Sequence, residues 1–306
     1  MNLTLRQLEY IVAVHRLGRF GLAAELLNVS QPSLSAQIAK VEATLGVRLF
    51  ERDRGGVQVT ARGEDFVRRA QTILAQVQDL TLAMASDVPF GGRLRLGVLP
   101  SIGPYLLPQV VRSIHRDQPD LKVLVREEAT QGLERGLRSG RFDAILSTPE
   151  DHPNTRQTRL FNENLWIATA VDDPLARTGG PATAQDLAGQ RLLTLDNSHR
   201  LSRIVYALAA EAGGMVSDDY EGTSLDSILL MAATGAGVAI IPELFAKRQA
   251  MFREEVTVRP LAPESATRDI ALMLRTGEDQ LAGHALLSKT LRDAAEALGL
   301  RTYGGG

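Results

Sequence analysis

Small and apolar positions recur at helical spacing near the start of the chain: Ala23, Ala24 and Leu27, then Leu34 and Ile38 after a break at Asn28-Val29. The pattern predicts two short helices that cross closely at the alanine pair, with Leu27, Leu34 and Ile38 filling the angle between them. Ser30 is placed to cap the second helix, and Pro32 falls in its first turn, where a missing N–H costs nothing. The polar positions Gln31, Ser33, Ser35, Gln37 and Lys40 share the outer side of that helix. They are short donors and acceptors of the kind that reach base edges in a major groove. The plain alternative is an α-hairpin with a solvated polar side.

The pattern then changes to alternation. Leu49–Arg52 and Gly56–Thr60 read as two short strands around Asp53-Arg54-Gly55-Gly56, after Gly46 ends the helix. A hairpin there is a wing, with Arg52 at its base and Arg54 at its tip, placed to reach phosphate or the minor groove. For Arg54 a solvated surface charge fits equally well. From Thr60 to about Asp87, Phe66, Ala70, Ile73, Val77, Leu80 and Met84 recur at alternating spacings of four and three. Such a stripe predicts a dimerisation helix. Pro89-Phe90-Gly91-Gly92 breaks it and marks a hinge.

Beyond Arg93, strands and helices alternate, which predicts a parallel α/β sheet. Strands are expected at Leu94–Val98, Leu121–Val125, Ala144–Leu146, Thr194–Leu195, Val238–Ile241 and Ile270–Leu274. Helices are expected at Pro104–His115, Gln131–Arg138, Ser198–Ala212, Ser224–Thr234 and from Asp279 onward. Ligands of such sheets bind beyond the carboxyl ends of the strands, where helix N-termini offer free N–H groups. Ser101, Thr130, Ser198, His199, Arg200 and Thr223 fall at those junctions. Each is also a plausible plain N-cap.

Charge changes the picture once the chain is divided. The net charge is −2, yet through residue 72 there are ten Lys/Arg against seven Asp/Glu. The basic excess sits in the stretch predicted to meet nucleic acid, though it is modest and favours paired heads over one strongly basic surface. With 306 residues, 44% of them hydrophobic, and no cysteine, the chain supports two or three domains and no thiol chemistry. Without a signal peptide or long apolar run it reads as a cytoplasmic protein with no membrane role.

Ala23-Ala24, Ser30-Gln31-Pro32-Ser33-Leu34-Ser35, Leu45-Gly46-x-x-Leu49-Phe50-x-Arg52 and Thr60-x-x-Gly63 together resemble the winged helix-turn-helix of LysR-type transcriptional regulators. The resemblance covers nearly the whole chain. It implies an α/β fold class: a winged helix-turn-helix over 1–60, a linker helix and hinge over 61–90, and an effector-binding domain over 91–306. That domain would resemble periplasmic solute-binding proteins, with one lobe over 93–164 and 268–306 and a second over 165–267. The resemblance implies that Gln31, Pro32 and Ser33 begin the recognition helix and that Arg52 contacts the DNA backbone. It further implies promoter DNA as partner, a homodimer or homotetramer, RNA polymerase as a candidate partner, and Ser101 and Thr130 at the effector site.

Leu99-Pro100-x-x-Gly103-Pro104, His199, Glu211-Ala212-Gly213 and Thr223-Ser224-Leu225 are similar to the hydrogen-peroxide-sensing, OxyR-like branch. That branch works through two redox cysteines. Here the corresponding positions are Arg200 and Ala209, so the disulfide switch is absent. A guanidinium at position 200 favours a small anionic effector instead, unless it turns outward or pairs with an acidic neighbour such as Asp196. No cofactor or metal is expected. The five histidines, His15, His115, His152, His199 and His284, show no metal-ligand spacing, and no catalytic set can be assembled. The readings left beside an effector-responsive regulator are an effector-independent or stress-linked one and a solute-binding protein that does not bind DNA.

Overall fold

The computed structural model describes residues 3–53, 56–85, 88–196, 199–218, 222, 224–262, 266–276 and 283–304; at 52, 53, 56, 78, 79 and 82–85 only the backbone is described. The chain folds as two compact units, Met1–Asp87 and Val88–Gly306.

The first unit is built from α1 (Leu5–Leu17), α2 (Phe20–Leu26), α3 (Gln31–Leu45), β1 (Phe50–Asp53), β2 (Gly56–Val59) and α4 (Ala61–Ala85). Thr4 and Gln7 form a capping box that starts α1, and Gly18 at φ 66° ends it. Asn28 takes the left-handed conformation at φ 54° in the turn, one of the few non-glycine residues that tolerate it. Ala23 and Ala24 are buried where α2 meets α3, and Ile11, Val14, Leu34, Ile38 and Leu49 complete the core. Each large aliphatic residue buried there contributes about 1.5–3 kcal/mol of apolar transfer before chain entropy is counted.

The Thr60-x-x-Gly63 pair has a geometric cause. Thr60 Oγ1 accepts from the Gly63 amide at 2.9 Å and donates to the Arg48 carbonyl at 2.8 Å. A Cβ on Gly63 would collide with the Leu49 carbonyl oxygen. The wing is thereby pinned to the start of α4. Glu42 of α3 adds a second clasp, its Oε1 accepting from the Leu49 and Phe50 amides at 2.7 and 3.2 Å.

The apolar stripe of α4 divides in two. Val67 and Ala70 are buried and Phe66 packs on the core of this first unit. Ile73 and Leu80 are 43% and 62% exposed, and Val77 is half-buried. The side chain of Met84 lies outside the described residues. The stripe thus serves its own head first and leaves a free apolar edge beyond it.

The second unit has two cores, one for each lobe. The first lobe contains β3 (Arg93–Val98), α5 (Gly103–Asp117), β4 (Lys122–Glu127), α6 (Thr130–Arg138), β5 (Ala144–Ser147) and the first part of β6 (Thr155–Ala170). The second lobe adds β7 (Arg191–Leu193), α7 (Arg200–Ala212), β8 (Met215–Val216), α8 (Leu225–Ala233), β9 (Val238–Pro242), α9 (Glu243–Arg248) and β10 (Val256–Pro260). The chain returns to the first lobe through β11 (Thr267–Arg275), α10 (His284–Ala297) and β12 (Arg301–Thr302).

The sheet runs β4-β3-β5-β11-β6-β9-β7-β8. β3 lies parallel to β4 and β5, as the alternation predicts, and β7 lies parallel to β8 and β9. The sheet is nevertheless mixed, because β6 and β11 cross between the lobes antiparallel to each other and to their neighbours. β6 was not foreseen: Thr155–Asn164 pairs with β11, and Leu165–Ala170 then pairs with β9 and β10. Its first half is too polar to read as a core strand, since Arg156, Gln157 and Arg159 are exposed.

Candidate functional site

The N-terminal turn of α3 is open to solvent. The Ser30 hydroxyl accepts from the Ser33 amide at 3.3 Å, while Leu34, Ile38 and Val41 face the core. Gln31, Pro32, Ser33 and Lys40 are exposed and Ser35 is half-buried. They form one polar edge along the helix. Gln37 departs from its expected place on that edge: its Oε1 accepts from Gln7 Nε2 at 3.0 Å, and Gln7 is itself buried at the start of α1. The amide pair holds α1 against α3. Arg52 lies in β1 opposite Val57, with its side chain outside the described residues, as is the whole of Arg54.

Between α7 and the crossover strands lies a cleft of about 540 Å³, lined by Arg200, Arg203 and Arg268 and by the acidic Glu150, Glu211 and Asp269, with Thr148, Asn162 and Tyr303 among its polar neighbours. Arg200 and Arg203, one turn apart on α7, point Nη1 at the same oxygen, Oδ1 of Asp151, at 3.2 and 3.0 Å. The other oxygen of Asp151 accepts from Thr148 Oγ1 at 2.7 Å. Asp151 sits in the turn after β5, with its side chain only 3% exposed. Two cations of the second lobe thus close on one shielded carboxylate of the first. Arg200 pairs with an acidic residue, the alternative its sequence position allows, but with Asp151 across the cleft, 49 residues away, where the sequence suggests a near neighbour such as Asp196. Arg203 was legible as its neighbour at i+3.

Behind this pair, Arg268 donates from Nε to Glu163 Oε1 at 2.7 Å and from Nη2 to Ser101 Oγ at 3.0 Å. Glu163 is fully buried. Burial pushes its carboxyl up, opposed by Arg268 and by the Leu244 amide, which donates to Oε2. Ser101 of the first lobe, the two crossover strands and α9 of the second lobe therefore meet in one buried network. Asp269 next to it accepts from Asn162 at 2.7 Å and from the Tyr303 hydroxyl at 2.5 Å, which pushes the phenol up.

The other expected effector residues separate from Arg200. His199 caps α7 without a side-chain bond. Burial holds its imidazole below the ordinary value, helped by Arg268 and opposed by Asp196. Thr130 opens α6, and its hydroxyl is buried with no hydrogen-bond partner among the described residues. Ser101, Thr130 and His199 do not line the cleft that Arg200 lines. Arg268, which does line it, donates to Ser101. Ser198 and Thr223 lie outside the described residues.

Residues 5–64 match the family model of the bacterial regulatory helix-turn-helix protein, lysR family, and residues 89–296 match that of the LysR substrate binding domain. The chain belongs to the LysR family of transcriptional regulators. Among curated relatives, a hydrogen peroxide-inducible genes activator of Pectobacterium carotovorum subsp. carotovorum is 34% identical over 293 residues, which cover 95% of this chain and 96% of that one. Full-length OxyR from Pseudomonas aeruginosa, in a cysteine-to-aspartate variant, superposes with TM-score 0.68 at 29% identity, covering 95% of this chain and 98% of that one. Full-length CbnR in complex with its target DNA has the same fold, with TM-score 0.70 at 23% identity over 96% of this chain and all of that one.

This LysR-type regulator is a DNA-binding protein with an OxyR-like sequence and no cysteine. Of the two positions that the resemblance sets against the branch's redox cysteines, Arg200 opens α7 and Ala209 lies in its last turn.

Proposed function

We propose that this regulator acts as a homo-oligomer on promoter DNA in the cytoplasm, with RNA polymerase as a further partner. It answers to a small anionic effector held between the lobes of its second unit, not to oxidation of a thiol. The observation that carries this reading is the convergence of Arg200 and Arg203 on one carboxylate at the edge of a 540 Å³ cleft. Paired guanidiniums bind carboxylates and phosphates through charge-assisted hydrogen bonds, and a chain without cysteine has no thiol to oxidise.

Ser101 belongs to the proposed response through Arg268, which lines the cleft and donates to it, and Thr130 and His199 belong to it as the other helix N-termini of the two lobes. The unsatisfied Thr130 hydroxyl supports a polar ligand on that side, since a buried hydroxyl without a partner costs about 1–3 kcal/mol. The exposed edge of α4 at Ile73 and Leu80 supports pairing with a second copy. No helix among the described residues is long and apolar enough to cross a membrane.

A thermal-shift survey of small carboxylates, phosphates and sulfates tests the effector reading. A true effector at a hundred times its Kd stabilises the parent by about 2.7 kcal/mol. Arg200→Ala loses that shift and still retards the promoter duplex. Equal shifts in parent and variant contradict it.

A further inference from the structure

We infer that Arg200 and Arg203 form a carboxylate site that the protein occupies itself: Asp151 is a built-in competitor that latches α7 to the first lobe until a small carboxylate with a short apolar body displaces it. The inference rests on the effector reading above and names the ligand class and its control. Three observations carry it. Both guanidiniums bond the same oxygen of Asp151, at 3.2 and 3.0 Å, the geometry of a received anion and not of two independent surface pairs. Arg200 and Arg203 are 27% and 58% exposed and line the cleft, whereas Asp151 is 3% exposed, so the cations are the groups that an incoming anion meets first. The face of α7 that lines the cleft continues from Arg200 and Arg203 into Ile204, Ala207 and Leu208. A ligand with its carboxylate on the arginines would lay two or three methylenes along that strip.

One carboxylate replaces another on the guanidiniums, so the arginines stay paired; the cost falls on Asp151, which is left with its bond from Thr148 Oγ1 and must gain water. What changes is the tie between lobes. With Asp151 released, α7 is no longer bonded through Arg200 and Arg203 to the turn after β5, and a ligand that binds only this released form shifts the population towards it.

Hexanoate is the probe, with inorganic phosphate as the anion that lacks an apolar body, and the fluorescence of Trp166, the single tryptophan, is the readout alongside calorimetry on the full chain. Asp151→Asn keeps the shape and removes the competing charge. It binds hexanoate at least tenfold more tightly than the parent, prefers it to phosphate, and loses it on adding Arg200→Gln and Arg203→Gln. Thr148→Val, which loosens Asp151 without removing its charge, gives a smaller gain and keeps the test open if Asp151→Asn does not fold. Binding that is no tighter in either variant than in the parent overturns the competition and leaves the effector reading standing. Binding of hexanoate unaffected by the arginine changes, or none in any variant, overturns the inference, while the survey of other anions decides the effector reading separately.

Discussion

Gln31 and Gln37 lie on one helix, yet the first is exposed at its N-terminus and the second is bonded to Gln7 of α1. Their different surroundings assign them different work. If Gln31 reads a base edge, as its exposure allows, Gln31→Ala should cost about 1–3 kcal/mol on the specific duplex while leaving random duplexes nearly unaffected. Competitive retardation on the two duplexes measures this, and an equal loss on both would contradict the assignment. The cap at Ser30 and the exposure of Gln31 are legible because they depend on neighbours within one turn. The bond of Gln37 is not, since Gln7 is 30 residues away. The same distance rule hides Asp151 from Arg200, with 49 residues between them, and hides Glu163 from Arg268, with 105.

At the scale of elements, α4 is where periodicity says most and still leaves something out. A regular stripe from Phe66 to Met84 predicts one seam, but Phe66, Val67 and Ala70 are taken up by the winged head, and only the portion from Ile73 stays open. Spacing alone cannot divide a stripe between two partners. Replacing Ile73 and Leu80 by Glu should therefore leave the fold of the head intact, because both side chains are already exposed, while placing charges in any helix–helix seam at a prohibitive desolvation cost. Light scattering should show the variant at monomer mass with unchanged helicity. A retained dimer would mean that this edge is not the interface. Elsewhere, the alternating strands and helices of the second unit were legible from apolar runs, and β6 was not, because its first half carries exposed charged and polar residues through the crossover.

For the whole molecule, three partly or fully buried histidines set the response to acid. Burial holds His152, His199 and His284 below the ordinary imidazole value of 6.5. In that window the unfolded chain binds more protons than the folded one, so their contribution to stability is present above about pH 6.5 and is lost as pH falls below it. His152, with Nε2 3.0 Å from Ser147 Oγ and Nδ1 without a partner among the described residues, is the most buried of them. His152→Gln should therefore lose less in Tm than the parent between about pH 7 and about pH 5.5, even though raised carboxyls such as Glu163 act in the opposite direction. An identical slope in the two proteins would count against a neutral buried imidazole.

The central claim is that a DNA-binding regulator with OxyR-like sequence carries no thiol switch. The most direct test is a footprint of the purified protein on its own upstream region, taken before and after hydrogen peroxide at concentrations that spare methionine. The account predicts one discrete protected stretch with the same boundaries in both samples, because no side chain of this chain can form and resolve a sulfenic acid. A protected stretch that shifts or changes length with peroxide, and reverts on reduction, would contradict it.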